Sequence, residues 1–195
     1  MKRICVFCGS SPGNNPGYSS AVRLLGKALV DNGMGLVYGG AGVGLMGELA
    51  KTVIKKKGEV IGVIPQQLAE KEVAFKELAD LRIVKSMHER KALMAELSDG
   101  FIALPGGLGT VEEFFEILTW SQLGIHQKPC GLLNVLNYYD QLIAFINHAI
   151  NENFLQEEFR ALFFVEKAPH ILLKKFENYK PRKIDKAGWA LRMRT

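Results

Sequence analysis

Residues 104–113 read LPGGLGTVEE, so that a proline and three glycines stand before two adjacent carboxylates, Glu112 and Glu113. Glycines let a backbone pass close to a ligand, and the free amides that open a following helix make a seat for an anion such as phosphate. A carboxylate just beyond that seat is placed to work on whatever the anion carries. Thr110 adds a hydroxyl donor. Thr110-x-x-Glu113 also has the form of a capping box, worth about 1 kcal/mol to a helix. A cap, however, does not call for Gly106, Gly107 and Gly109.

A second cluster lies in SMHERKALM, residues 86–94. Arg90 and Lys91 fall in the first turns of an expected helix, where cations oppose the dipole by about 0.3–1 kcal/mol. That placement makes sense if both face an anionic substrate across a crevice. His88 is a candidate acid–base group, although a histidine at a helix start is more often structural. Gly9-Ser10-Ser11-Pro12-Gly13 matches the G-x-S-x-G hydrolase elbow, but the elbow uses the amide after the serine and Pro12 has none. The serine-hydrolase reading therefore falls, and a turn whose serine hydroxyls help to hold a ligand replaces it. Gly42-x-Gly44-x-x-Gly47 has the dinucleotide spacing but no acid at the end of the next strand, where Pro65-Gln66 stand instead. Close approach of backbone to a nucleotide is still expected at this loop. Cys5 and Cys8 form a C-x-x-C inside a strand, on opposite faces and about 10 Å apart, which is beyond disulfide reach. No His/Cys/Asp/Glu cluster has metal-ligand spacing, so no metal is expected.

The elements that must position these groups alternate. Strands are predicted at 3–8, 35–38, 60–64, 81–85, 101–104, 129–133 and 163–165. Helices are predicted near 18–32, 43–57, 87–98, 111–123, 138–153 and 168–178. Short, fully apolar runs such as FIAL belong to buried parallel strands, while YDQLIAFINHAI carries helical spacing. The fold class is α/β, a Rossmann-like three-layer fold with a parallel sheet and helices on both faces. Ligands in such folds bind outside the carboxyl ends of the strands, and the three glycine-rich turns fall there.

The chain has 195 residues, 48% of them hydrophobic, and a net charge of +5. Residues 1–178 are expected to form a single domain, followed by a basic and flexible tail at 179–195. The charge is local: residues 174–195 hold eight of the 25 basic groups and two of the 20 acidic ones. Without an aromatic-interleaved basic stripe, no nucleic-acid partner is expected. No apolar run approaches the roughly 20 residues of a membrane span, and the N-terminal apolar run is too short for a secretory signal. A cytoplasmic protein is expected.

Taken together, PGGLGTVEE, MHERK, YGGAGVGLMG and the N-terminal CVFCGSSPG resemble the LOG-like ("lonely guy") phosphoribohydrolases over about residues 3–175. The PGGxGTxxE stretch is that family's hallmark. The resemblance implies cleavage of purine riboside 5′-monophosphates, of cytokinin type or AMP, to free base and ribose 5-phosphate. It also implies a homodimer with active sites near the subunit interface. By position it carries Arg90 and Glu113 over as the catalytic pair, and Glu72, Lys91, Thr119 and the loop Gly106, Gly107, Leu108, Gly109, Thr110, Val111 and Glu112 as substrate-binding residues. Ala41 departs from the family's third glycine. Members have been labelled lysine decarboxylases, but nothing in this sequence supports a pyridoxal phosphate enzyme, and no cofactor is expected. The competing reading is a nucleotide sensor or carrier that uses the same crevice without chemistry.

Overall fold

Seven short segments become seven parallel strands, and the computed structural model describes residues 1–71 and 74–181. Glu72 and most of the expected basic tail, residues 182–195, lie outside the described residues. The order along the chain is β1 (Arg3–Phe7), α1 (Pro16–Asp31), β2 (Gly35–Tyr38), α2 (Gly44–Lys55), β3 (Val60–Pro65), α3 (Gln66–Ala69) and β4 (Asp80–Val84). There follow α4 (Met87–Glu96), β5 (Gly100–Ala103), α5 (Leu108–Gln122), β6 (Cys130–Leu133), α6 (Asp140–Asn151), β7 (Phe163–Glu166) and α7 (Pro169–Glu177). Among the described residues no helix is long and apolar enough to cross a membrane.

The sheet order is β4-β3-β2-β1-β5-β6-β7. Strand β1 is central, with Val6 level with Tyr38 on one side and Ile102 on the other. Alternation along β1 divides its side chains between two cores. Ile4, Val6 and Cys8 join α1, α2 and α7 on one face, while Cys5 and Phe7 join α4, α5 and α6 on the other. The two cysteines are thus buried, free and on opposite faces, as their spacing predicts. Helix α1 is held by Val22, Leu25 and Leu29, fully buried at helical spacing. Each such side chain is worth about 1.5–3 kcal/mol relative to exposure.

Two departures from the sequence expectation matter for the site. Helix α5 begins at Leu108 with Gly107 as its N-cap, three residues before the expected start. Thr110 is therefore inside the first turn, and the Thr110–Glu113 capping box does not form. A side-chain cap forms at α4 instead, where the Ser86 hydroxyl accepts from the Glu89 amide at 3.1 Å and the Glu89 carboxylate reaches back past the cap to accept from the Lys85 amide at 2.8 Å.

Candidate active site

The chain leaves β1 toward one side of the sheet and returns through β5 to build the other, so a gap opens outside the carboxyl ends of these two neighbours. The Gly9 amide donates to the Pro105 carbonyl at 3.1 Å and ties the loops after β1 and β5 together there. The Gly9 carbonyl in turn accepts from the Leu45 and Met46 amides at 3.1 and 3.3 Å, filling the N-terminus of α2. Gly44 has φ +57°, and a Cβ on it would lie 2.3 Å from the Ser10 carbonyl. Protein packing therefore accounts for this glycine, and the chain's own Gly9 carbonyl occupies the Leu45 and Met46 amides, while Val43 and Met46 of the same loop line the crevice described below.

The N-terminus of α5 is the reverse case. Among the described residues no acceptor meets the amides of Leu108, Gly109 and Thr110. A Cβ on Gly107 or Gly109 would meet nothing within 4 Å, and Gly107 has an ordinary φ of −88°. Nothing in the protein demands glycine at either position. The open space in front of free amides at a helix start is what an anion requires. Thr110 folds its hydroxyl back over Gly106 on the same rim.

Beside that rim sits a buried ion pair. Arg90 is 7% exposed and Glu113 8%, and the Arg90 Nη1 donates to Glu113 Oε1 at 2.7 Å. Arg90 Nε donates to the Val63 carbonyl at 3.1 Å, which offsets its adverse place near the start of α4. Only a glycine at 39 leaves room for this guanidinium, since a Cβ there would lie 2.1 Å from Nη2. Burial lifts the Glu113 carboxyl above the ordinary glutamate range; Arg90 pulls it down, and Glu112 adds to the lift. Cys8 also lines the crevice, but burial pushes its thiol far above the range in which it would act as a nucleophile.

The crevice has a volume of about 440 Å³. Ser10, Leu108, Gly109 and Thr110 line it near Arg90 and Glu113, and Val43, Met46, Ile64, Leu68 and Met87 give it an apolar end. Other expected site residues lie elsewhere. Lys91 is held by Glu112 and by Glu116, the latter at 3.0 Å, and joins α4 to α5 rather than facing the crevice. Burial works against its charge, but these two carboxylates prevail and raise its pKa. Val111 packs toward the core, and Thr119 donates to the Phe115 carbonyl at 2.8 Å, about 9 Å along the helix from Glu113. His88 is exposed on α4 and does not line the crevice. Two residues that sequence reasoning missed are Tyr138 and Tyr139, whose hydroxyls donate to the Gly106 and Leu104 carbonyls, each at 2.6 Å. Their one sequence signal is a pair of tyrosines just past the end of a buried strand.

Comparison with known proteins bears on the family and the fold. The family model described as "Possible lysine decarboxylase" matches residues 46–176. The cytokinin riboside 5′-monophosphate phosphoribohydrolase LOG1 of Arabidopsis thaliana is 49% identical over 182 residues, covering 93% of this chain and 85% of that protein. A probable cytokinin riboside 5′-monophosphate phosphoribohydrolase of Oryza sativa subsp. japonica, LOGL9, is 51% identical over 181 residues, covering 93% and 80%. Among solved structures, the molybdenum cofactor binding protein of Rippkaea orientalis superimposes with a TM-score of 0.69 at 21% identity, covering 91% of this chain and 97% of that one. The molybdenum cofactor carrier protein of Chlamydomonas reinhardtii does so with a TM-score of 0.68 at 19% identity, covering 92% and 99%. At such identities these structures speak for the fold alone.

Proposed function

This chain belongs to the LOG family of cytokinin riboside 5′-monophosphate phosphoribohydrolases, and from that premise we propose that it hydrolyses the N-glycosidic bond of a purine riboside 5′-monophosphate, releasing free base and ribose 5-phosphate. The carrier reading is less supported, because the relatives at about half identity are named as enzymes. The observation that carries the mechanism is the Arg90–Glu113 pair standing beside the unpaired amides of α5.

In this mechanism the amides of Leu108, Gly109 and Thr110 hold the 5′-phosphate, and that anchoring brings C1′ to Glu113. Arg90 occupies Oε1 of Glu113 and leaves Oε2 for the reaction. As the C1′–N bond breaks, its electron pair leaves with the base and positive charge builds on the sugar. The Glu113 carboxylate stabilises that charge and takes a proton from the attacking water, whose oxygen bonds to C1′. The proton lost by water balances the one gained by the departing base. The apolar end of the crevice suits an alkylated adenine better than a bare one. Purified protein should therefore release base from N6-isopentenyl-AMP with a higher kcat/KM than from AMP. Tight nucleotide binding with no base released would instead favour the carrier.

Residues 1–178 act as one catalytic unit in this reading, in the cytoplasm and as a homodimer. Thr119 lies outside the crevice of its own chain, which fits a site completed near a subunit interface.

A further inference from the structure

The geometry points to Tyr138 as a positioning residue that turns the phosphate-binding loop toward its ligand. This rests on the reading of that loop as a phosphate site and adds a residue to it. Four consecutive carbonyls, from Leu104 to Gly107, are each engaged inside the protein. Leu104 accepts from Tyr139 Oη at 2.6 Å, Pro105 from the Gly9 amide at 3.1 Å, Gly106 from Tyr138 Oη at 2.6 Å and Gly107 from the Val111 amide at 3.2 Å. The amides of the same stretch, from Gly106 to Thr110, meet no acceptor among the described residues.

A trans peptide unit is planar, so its C=O and the N–H of the next residue point in opposite directions. Pulling the Gly106 carbonyl out toward Tyr138 therefore aims the Gly107 amide the other way, toward the open space in front of α5. The electrostatics run the same way: a carbonyl left facing the anion would repel it, and a loop free to flip its Gly106–Gly107 peptide would present that carbonyl part of the time. Glycine on both sides of this peptide makes the flip easy, so an anchor is needed.

The chain spends conformational energy to provide the anchor. Leu136 and Asn137, which lead into Tyr138, have φ of +52° and +61°, a left-handed region that non-glycine residues rarely adopt. Buried Asn134 holds the bend, donating to Asp140 at 2.7 Å and accepting from the Tyr139 amide at 2.8 Å. The Tyr138 ring is braced edge-on by Tyr18 and Tyr139, with centroids 5.8 and 5.0 Å away.

Tyr138→Phe keeps the ring and removes only the anchor. Its Kd for ribose 5-phosphate and its KM for the nucleotide should rise about three- to tenfold, the effect of losing one hydrogen bond. Its kcat should stay within about twofold, and its affinity for the phosphate-free nucleoside should be unchanged. An unchanged Kd in the variant, alongside a wild type that prefers ribose 5-phosphate to ribose, would overturn the role of Tyr138 and leave the phosphate loop standing. A wild type that binds ribose and ribose 5-phosphate alike would remove the phosphate loop itself. Equal losses in kcat, nucleoside affinity and Tm would mark general loosening and also overturn the positioning role.

Discussion

At the scale of single residues, the site turns on one carboxylate held between two opposing influences. Burial raises the Glu113 pKa and Arg90 lowers it. The proposed chemistry needs the carboxylate, so activity should fall as pH drops through this raised pKa. The acid limb of kcat/KM, which reports the free enzyme, then lies above the ordinary glutamate value of about 4.3. Replacing Arg90 by Gln removes the charge that holds the pKa down, and in a pH–rate profile the limb should move to higher pH. A limb that stayed in place would mean that another group titrates. Glu113→Gln should bind nucleotide as the wild type does while losing turnover about a hundredfold or more. Undiminished release of ribose 5-phosphate by that variant would contradict the assignment. Glu113→Ala is the poorer probe, because it leaves Arg90 buried without its counter-charge at a cost of about 3 kcal/mol.

At the scale of elements, the two S/T-x-x-E signatures in this chain behave differently. Ser86 caps α4 and accepts from the Glu89 amide, so Ser86→Ala should lower the unfolding free energy by about 1 kcal/mol in urea titrations. Thr110 caps nothing, and Thr110→Ala should leave stability nearly unchanged while raising KM. The inner strands were legible because buried parallel strands are continuous apolar runs, and each observed strand, the partly exposed edge strands β4 and β7 included, overlaps its predicted range. The start of α5 was not, because a glycine N-cap such as Gly107 offers no side chain to signal it. The one-turn helix α3 and the 3-10 turns at 135–137 and 157–162 are too short to set up a periodicity. Arg90, Glu113 and the glycine loop could be picked out by residue type and spacing. Tyr138 could not, since its partner Gly106 is 32 positions away and only the assembled sheet brings them together. The pairing of Lys91 was hidden for the same reason: the carboxylates that hold it stand on a different helix.

At the scale of the whole molecule, the central pairing of β1 with β5 governs both stability and function. Asp99, just before β5, accepts from the backbone amides of Lys2 and Arg3 and fastens the N-terminus to it. Burial alone would raise the Asp99 pKa, but these two donors and nearby positive charges outweigh it and lower it. A carboxyl with a lowered folded pKa contributes stability above its unfolded value, and that contribution is lost as pH falls through the folded one. Asp99→Asn should therefore be less stable than wild type at neutral pH and show a flatter loss of stability below about pH 4. Parallel curves for the two proteins in acid melts would contradict this. The tie between Gly9 and Pro105 spans 96 positions of chain, so both walls of the crevice exist together only after β1 and β5 have met. A nascent chain still short of the second loop has no pocket to fill. Substrate bound across that seam should protect backbone amides throughout the sheet from hydrogen exchange, because releasing it is coupled to pulling apart the middle of the protein.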